Sequence, residues 1–399
     1  MENRGIILTG TFLVHVIFMH ANVLGGSIHH LSAVEDVKYV SIQSVPKILG
    51  DEVCGDDSFT GICLNSTECE GRGGNSNEKC WNNDVCCKIT ARCPSNSNPC
   101  VIRHSGTTVV NENGVSDYRR TYRFVKAENI CQLRLDFDEF ELAQPDAQAN
   151  CNNDLMQVIS PRAGLGICGS NSQQHIYLNY DSRSYIDIIM RIRNVDAKYR
   201  IRSTFIECDS EMLAPVNCLQ YFADLDGTVK SFNSGHRQLN NLEYSICVAS
   251  YEGVSKIQWK RCAEQSFFIS GSGFNVGSKQ SPNCAKDWVQ IYGQDRYCGN
   301  GFNAITSSAQ PFLLNVHFDG VEGFGVSLPT DPAQCNGQII TDPYTGGTFT
   351  CTVDAGPDPE CSCVFAPPPP PIIGPPIFDP TNDIDVNNTG FCLNYEQMW

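Results

Sequence analysis

Cysteine and aspartate recur in one arrangement along this chain. Cys151-Asn-Asn-Asp154 is followed by Cys168-Gly169, and Cys284-Ala-Lys-Asp287 by Cys298-Gly299, each within alternating apolar and polar residues. Thiols at such spacing either bind a soft metal or oxidise, and the repetition suggests two copies of one disulfide-closed β unit. Cys86-Cys87 and Cys361-Ser-Cys363 could hold zinc only if reduced, and His29-His30 has no third ligand nearby. Nucleophilic catalysis finds no constellation either. A chymotrypsin-type triad needs serine in Gly-Asp-Ser-Gly and histidine in Ala-Ala-His-Cys, and neither string occurs. Gly271-Ser-Gly-Ser lacks the aspartate and reads as a polar turn, so the expectation is a protein without catalytic activity.

Composition gives these cysteines their setting. Twenty-two cysteines in 399 residues imply an oxidising compartment. Arg4 precedes an apolar run from Ile6 to Met19, with small residues at Gly25, Gly26 and Ser27, so residues 1–26 read as a cleaved signal peptide. The run is shorter than the roughly 20 apolar residues of a membrane span. The expectation is a secreted, extracellular protein with no membrane span. A net charge of −16 argues against nucleic acid as a partner. Asn65-Ser-Thr and Asn387-Asn-Thr are candidate glycosylation sites on the secretory route.

The elements that must position these residues are strands. A dense block from Cys54 to Cys93 has too few large apolar residues to fold on a core and needs disulfides. From Cys100 to Cys208 the pattern has period two: Leu133, Leu135 and Phe137 alternate with polar residues, as do Ile186, Ile188, Met190 and Ile192. Cys218 to Cys335 repeats the scheme with Phe312, Leu314, Val316 and Phe318, then Phe324, Val326 and Leu328 after the turn at Gly323. No stretch sustains helical periodicity. The fold class is all-β: two disulfide-bonded antiparallel β-sandwiches over 100–208 and 218–335, after a small cysteine-rich segment over 54–93. Residues 336–399, with an unbroken run from Pro367 to Pro371, read as a spacer and loosely ordered tail.

At this point the chain resembles the CUB domain, an extracellular jelly-roll β-sandwich. The resemblance rests on Phe140-Glu-Leu142, Cys151 to Asp154 and Cys168-Gly169 in the first unit. In the second it rests on Cys284 to Asp287, Arg296-Tyr-Cys298-Gly299 and Gly323-Phe324-Gly325. The wording of Ile130-Cys-Gln-Leu-Arg-Leu-Asp-Phe137, Gln174-His-Ile-Tyr177, Cys218-Leu-Gln-Tyr221 and Ser231-Phe232-Asn233 is similar to a group of arthropod secreted CUB proteins. In that group a cysteine-rich segment ending in Cys-Cys precedes two CUB-like units, as Val85-Cys86-Cys87 does here.

The resemblance implies pairing of Cys151 with Cys168, Cys284 with Cys298 and Cys218 with Cys247. A clip-like N-terminal scheme implies Cys54 with Cys86, Cys63 with Cys80 and Cys69 with Cys87. Partners for Cys93, Cys100, Cys131, Cys208 and Cys262 stay open. The family also implies a possible calcium site built from one glutamate and two aspartates. Asp154 and Asp287 hold the Cys-x-x-Asp position, and Asp196 or Asp319 would supply the second aspartate. The glutamate's place falls near Ala143 and near Ser270, so no cofactor is required and calcium is a possibility. Asp154 and Asp287 would otherwise cap turns or bind backbone amides.

Arg191, Arg193, Arg200 and Arg202 alternate with apolar residues on adjacent predicted strands, so they are expected to share one solvent face. Such a ridge would receive an acidic partner or sulfated glycan. The reading that follows is a secreted interaction protein that binds an extracellular protein or glycan through edge loops. Alternatives are a non-catalytic regulator of an extracellular protease cascade and a structural component of matrix or cuticle. Nothing in the sequence sets the oligomeric state.

Overall fold

The computed structural model describes residues 53–56, 59–80, 83–93, 98–111, 118–146, 148–159, 164–270, 279–280, 284–320, 337, 339–341, 348–353, 361–366 and 388–399. The proposed signal peptide, His29-His30, Gly271-Ser-Gly-Ser, Gly323-Phe324-Gly325, Val326, Leu328, Cys335, Pro367 to Pro371 and Asn387 lie outside the described residues. All the described residues fall in one compact unit, Val45–Trp399.

The cysteine-rich segment is a small sheet of β1 (Val53–Asp56), β2 (Phe59–Leu64), β3 (Asn75–Lys79) and β4 (Val85–Thr90), with one short helix, α1 (Ser66–Gly71). Among the described residues its core is small: Ile62, Leu64, Cys69, Cys87 and Ile89, with Val85 packed against them. That is too little apolar area for independent stability, and disulfides Cys54–Cys86, Cys63–Cys80 and Cys69–Cys87 constrain it instead.

The first sandwich follows with β5 (Cys100–Ile102), β6 (Thr107–Val110), β7 (Tyr118–Val125), β8 (Ile130–Glu141), β9 (Leu155–Ile159), β10 (Gly166–Ile167), β11 (His175–Asn179), β12 (Tyr185–Ile192) and β13 (Lys198–Glu207). One sheet runs β1-β2-β4-β6-β13-β8-β11, with β3 also on β4, and the other runs β10-β9-β12-β7-β5. Leu133, Leu135 and Phe137 from the first sheet and Ile186, Ile188, Met190 and Ile192 from the second are buried between them. A register shift opposite Arg200 and Ile201 skips Asp138, which turns both Phe137 and Phe140 inward with ring centroids 4.9 Å apart. Parallel pairing of Ile89 with Thr107 and Thr90 with Thr108 makes the cysteine-rich segment an extension of the sandwich rather than a separate bead. Gly106 (φ +75°) seals this joint, because a Cβ there would lie 2.3 Å from Ile62 Cδ1.

The second sandwich contains β14 (Cys218–Phe222), β15 (Asp226–Lys230), β16 (Leu242–Val248), β17 (Lys256–Arg261), β18 (Phe267–Phe268), β19 (Lys279–Gln280), β20 (Trp288–Ile291), β21 (Arg296–Cys298), β22 (Ile305–Ser307) and β23 (Phe312–Phe318). Strands β24 (Ile339–Thr341), β25 (Thr348–Val353) and β26 (Cys361–Ala366) form their own antiparallel sheet before the chain ends in β27 (Gly390–Met398). The sandwich sheets run β14-β16-β23-β20-β21-β19 and β15-β27-β17-β22, with β18 also on β27. Ile246, Leu314, Val316 and Phe318 face Trp259, Leu393, Tyr395 and Val229 in the core.

The all-β sandwich class is as expected, with parallel pairing at β4–β6, β5–β7 and β14–β16 among antiparallel neighbours. One expectation is corrected. The end of the chain is not a loose tail: β27 lies between β15 and β17, buries Phe391, Leu393 and Tyr395, and is tied to Arg261's neighbour by Cys262–Cys392. The second sandwich therefore extends from Cys218 to Met398. The physical reason is the period-two pattern of Phe391, Leu393 and Tyr395, which places these side chains together in the core of the second sandwich. The remaining disulfides among the described residues are Cys93–Cys100, Cys131–Cys208, Cys151–Cys168, Cys218–Cys247 and Cys284–Cys298.

Candidate functional site

The repeated aspartates act as pins between strands. Asp154, fully buried just before β9, accepts backbone N–H groups from Ala143 (2.8 Å to Oδ2), Arg193 (2.7 Å to Oδ1) and Asn194 (3.0 Å to Oδ1). Asp287 does the same work in the second sandwich. Its Oδ1 accepts the Asp319 N–H at 2.6 Å, its Oδ2 accepts from Gln238 Nε2 at 2.7 Å, and its own N–H donates to Ser270 Oγ.

This arrangement does not fit a calcium ion. A hard cation needs a full set of converging oxygens, and here the glutamate is missing from both units while N–H donors already bond both oxygens of each carboxylate. Asp196 is exposed, and its N–H is held by Asn194 Oδ1 at 3.1 Å. Asp319 contributes its backbone, donating to Asp287 and accepting from the Asn241 N–H at 2.7 Å. The resemblance's two glutamate places are filled by Ala143 and Ser270, whose amide and hydroxyl now hold the aspartate instead. Among the described residues, the one cluster of three candidate metal ligands is Cys54, Cys63 and Cys80, all in disulfides.

The expected arginine ridge is divided between opposite sheets. Arg191 lies on β12 and Arg193 just beyond it, whereas Arg200 and Arg202 lie on β13, which belongs to the other sheet. The chain between these two strands crosses from one sheet to the other, so neighbours in sequence do not become neighbours on a face. Each cation is also engaged: Arg191 donates to Cys151 O at 2.7 Å and Arg193 to Asn152 O at 3.3 Å. Arg200 pairs with Glu139 at 3.6 Å, and buried Arg202 lies between Asp136 (3.4 Å) and Asp138 (3.3 Å). Burial raises the Asp138 carboxyl above its usual range against the opposing pull of Arg202.

What the fold does bring together is a polar seam between the sandwiches. The edge strands β11 and β14 lie side by side without backbone pairing, and side chains bridge them. His175 Nε2 is 2.9 Å from Tyr221 O and 3.2 Å from Tyr221 N, and Gln220 Nε2 donates to Gln174 Oε1 at 3.1 Å. Asn233 interlocks with the loop after Cys168: its Oδ1 accepts the Ser170 N–H, its N–H donates to Asn171 Oδ1, and its Nδ2 donates to Gln144. Beside these bonds Tyr177, Ile206, Ala214, Cys218 and Cys247 form an apolar patch. Burial, with Arg134 adding to it, lowers the His175 pKa to about 4, so the imidazole is neutral at physiological pH. Three strings quoted in the sequence, Gln174-His-Ile-Tyr177, Cys218-Leu-Gln-Tyr221 and Ser231-Phe232-Asn233, meet here. Their joint role was not readable, because each string is short and the contact joins residues 46 or more apart.

Beside β11 and β14 the two sandwiches line an open cleft of about 580 Å³. Leu165, Tyr177 and Asn179 line it from the first sandwich, and Glu243, Trp288 and Asn315 from the second. Trp288 is held between His317, stacked at 5.0 Å, and Arg296, whose Cζ lies 4.2 Å from the ring centroid. Among the described residues its lining includes Asp181 and Glu243 and no lysine or arginine. Aromatic rings and asparagine amides beside two carboxylates suit an uncharged or cationic ligand.

Residues 215–398 match the animal CUB domain family. Among solved structures the chain is similar to the CUB1-EGF-CUB2 domains of rat MASP-1, at 11% identity and a TM-score of 0.22, covering 74% of this chain and 99% of that one. It is similar also to the CUB1-EGF-CUB2 domain of human MASP-1/3, at 12% identity and a TM-score of 0.23, over 73% and 99% of the two chains. The full extracellular region of zebrafish Gpr126/Adgrg6 is matched at 9% identity and a TM-score of 0.22, over 76% of this chain and 34% of that one. No match is found among curated proteins. A CUB domain is typically an extracellular interaction module, and no helix among the described residues is long and apolar enough to cross a membrane.

Proposed function

We propose that the protein is a secreted, non-catalytic interaction protein whose two CUB-like sandwiches work as one binding body for an extracellular protein or glycan. The observation that carries this reading is the composite cleft: its walls come from both sandwiches, and the buried seam beside it holds those walls at a set separation. Preformed walls spare a ligand the entropy of ordering them. No metal enters this reading, since the aspartates that would hold calcium are engaged by amides. Secretion is supported by the disulfides and by the apolar N-terminal run.

The test is capture from extracellular fluid and from a glycan array by the intact chain and by Glu243→Arg with Asn315→Leu, both in the cleft lining. A ligand held by the intact chain and weakened about tenfold by the double variant supports the cleft. A ligand held equally by both places the binding elsewhere.

A further inference from the structure

A second concavity lies far from the seam in sequence, where the cysteine-rich segment joins the first sandwich. It has a volume of about 240 Å³ and is lined by Arg72, Arg92, Arg103 and His104, with Ile89 and Ile102 among its apolar residues and no carboxylate among the described lining residues. Three arginines and a histidine around one hollow are unusual on a chain of net charge −16. Arg72 is paired with Glu68, whereas Arg92 and Arg103 meet no carboxylate among the described lining residues, and an anion seated between them relieves their mutual repulsion.

The frame is fixed. Arg72, at the end of α1, donates to Glu68 and to Ser105 O at 3.4 Å, so it bridges the cysteine-rich segment and the β5–β6 loop. Arg92 follows β4, whose parallel pairing with β6 anchors it, and its neighbour Cys93 is tied to Cys100 by a disulfide. Arg120 further holds Cys93 through a 2.8 Å bond to its carbonyl oxygen. Arg103 leaves β5, and His104 O accepts from Thr107 Oγ1 at 2.7 Å. Arg92 and Arg103 are both exposed at the rim.

We infer that this basic pocket is a binding site for a sulfated oligosaccharide. The two cations at the rim, Arg92 and Arg103, are arginines, whose planar forks match two oxygens of one sulfate as a lysine point charge does not, while the Arg72 fork is engaged by Glu68 and Ser105 O. A saccharide ring carries its sulfates at stiff spacings that suit arginines on a rigid frame, whereas an acidic peptide must lose backbone freedom to match them. The site shares no residue with the composite cleft and stands independently of it.

The test is calorimetric titration of the intact chain with a heparin-derived hexasaccharide at low salt. Binding is expected to weaken about tenfold in Arg92→Glu with Arg103→Glu and to stay within about twofold in Lys256→Glu with Lys260→Glu, two exposed cations on β17 of the second sandwich. The chemically desulfated hexasaccharide is expected not to bind. The inference is overturned if the hexasaccharide fails to bind, or if Arg92→Glu with Arg103→Glu, matched to the intact chain in thermal melting, binds it unchanged. It is overturned also if polyglutamate of equal charge binds as tightly through the same two arginines, which would assign the pocket to acidic peptides.

Discussion

The imidazole of His175, on the edge strand of the first sandwich, sits against the backbone of Tyr221, on the edge strand of the second, with Nε2 2.9 Å from the carbonyl oxygen and 3.2 Å from the amide nitrogen. An exposed edge strand offers unpaired backbone groups to any passing strand. Here each edge is covered by side chains of the other, so the two sandwiches protect one another.

Burial of the imidazole at this contact makes stability depend on pH, with the Tyr221 bond opposing the shift. The folded pKa of His175, about 4, lies below its ordinary 6.5, so the unfolded chain binds more protons between those values. The contribution is present in full above pH 6.5, is lost as pH falls through 4, and changes no further below that. Its size is about 3 kcal/mol at about 1.36 kcal/mol per unit. Urea unfolding at pH 7, 5 and 4 is expected to show this loss in the native chain, with a flatter dependence in His175→Gln. Equal slopes in the two proteins would remove His175 as the cause.

Gly169 of the first Cys-Gly is predicted to be intolerant of a side chain for reasons that lie in the second sandwich. At φ +74° an added Cβ would meet Asn233 Oδ1 at 2.1 Å. Gly169→Ala should cost about 2 kcal/mol or more, from left-handed strain and from loss of the Asn233 bonds. Combining it with Asn233→Ala should recover part of that loss, which chemical denaturation of the four proteins measures as a coupling energy.

Asp154 should matter for folding rather than for a metal. Asp154→Ala leaves the backbone N–H groups of Ala143, Arg193 and Asn194, all partly buried, without their acceptor, at a cost of about 2 kcal/mol or more. Calcium should add nothing: a site a hundredfold tighter than the calcium supplied would contribute about 2.7 kcal/mol, an effect plain in a melting curve. Melting of chelator-treated protein with and without millimolar calcium is expected to give superimposable curves, and a clear upward shift would restore the calcium site.

The last strand should be indispensable to the second sandwich. Deleting residues 390–399 removes the neighbour of both β15 and β17 and unpairs Cys262. Cys262→Ala with Cys392→Ala is milder, opening a long loop at a cost of about 4 to 5 kcal/mol. Limited proteolysis should digest the second sandwich of the truncated chain while the first survives, and equal resistance would show β27 to be an accessory.

Taken by itself, the sequence determined what is local. The alternation of Leu133, Leu135 and Phe137 with polar neighbours makes a half-buried strand wherever it is placed, because side chains of a strand alternate faces regardless of its partners. The same reasoning carried the all-β class and the two sandwiches, and would have found β27 had Phe391, Leu393 and Tyr395 been read as a strand. Tertiary structure alone decided which strands share a sheet. Arg191 and Arg200 are nine residues apart yet belong to opposite sheets, while Arg72, Arg92 and Arg103 come from three segments to line one pocket. Pairing between strands is a long-range choice made by burial and backbone hydrogen bonds, so a period of two carries no trace of it. The aspartates of the repeated Cys-x-x-Asp were legible as residues, but only packing showed their oxygens turned onto backbone amides, and only the seam showed why Gly169 has no room for a side chain.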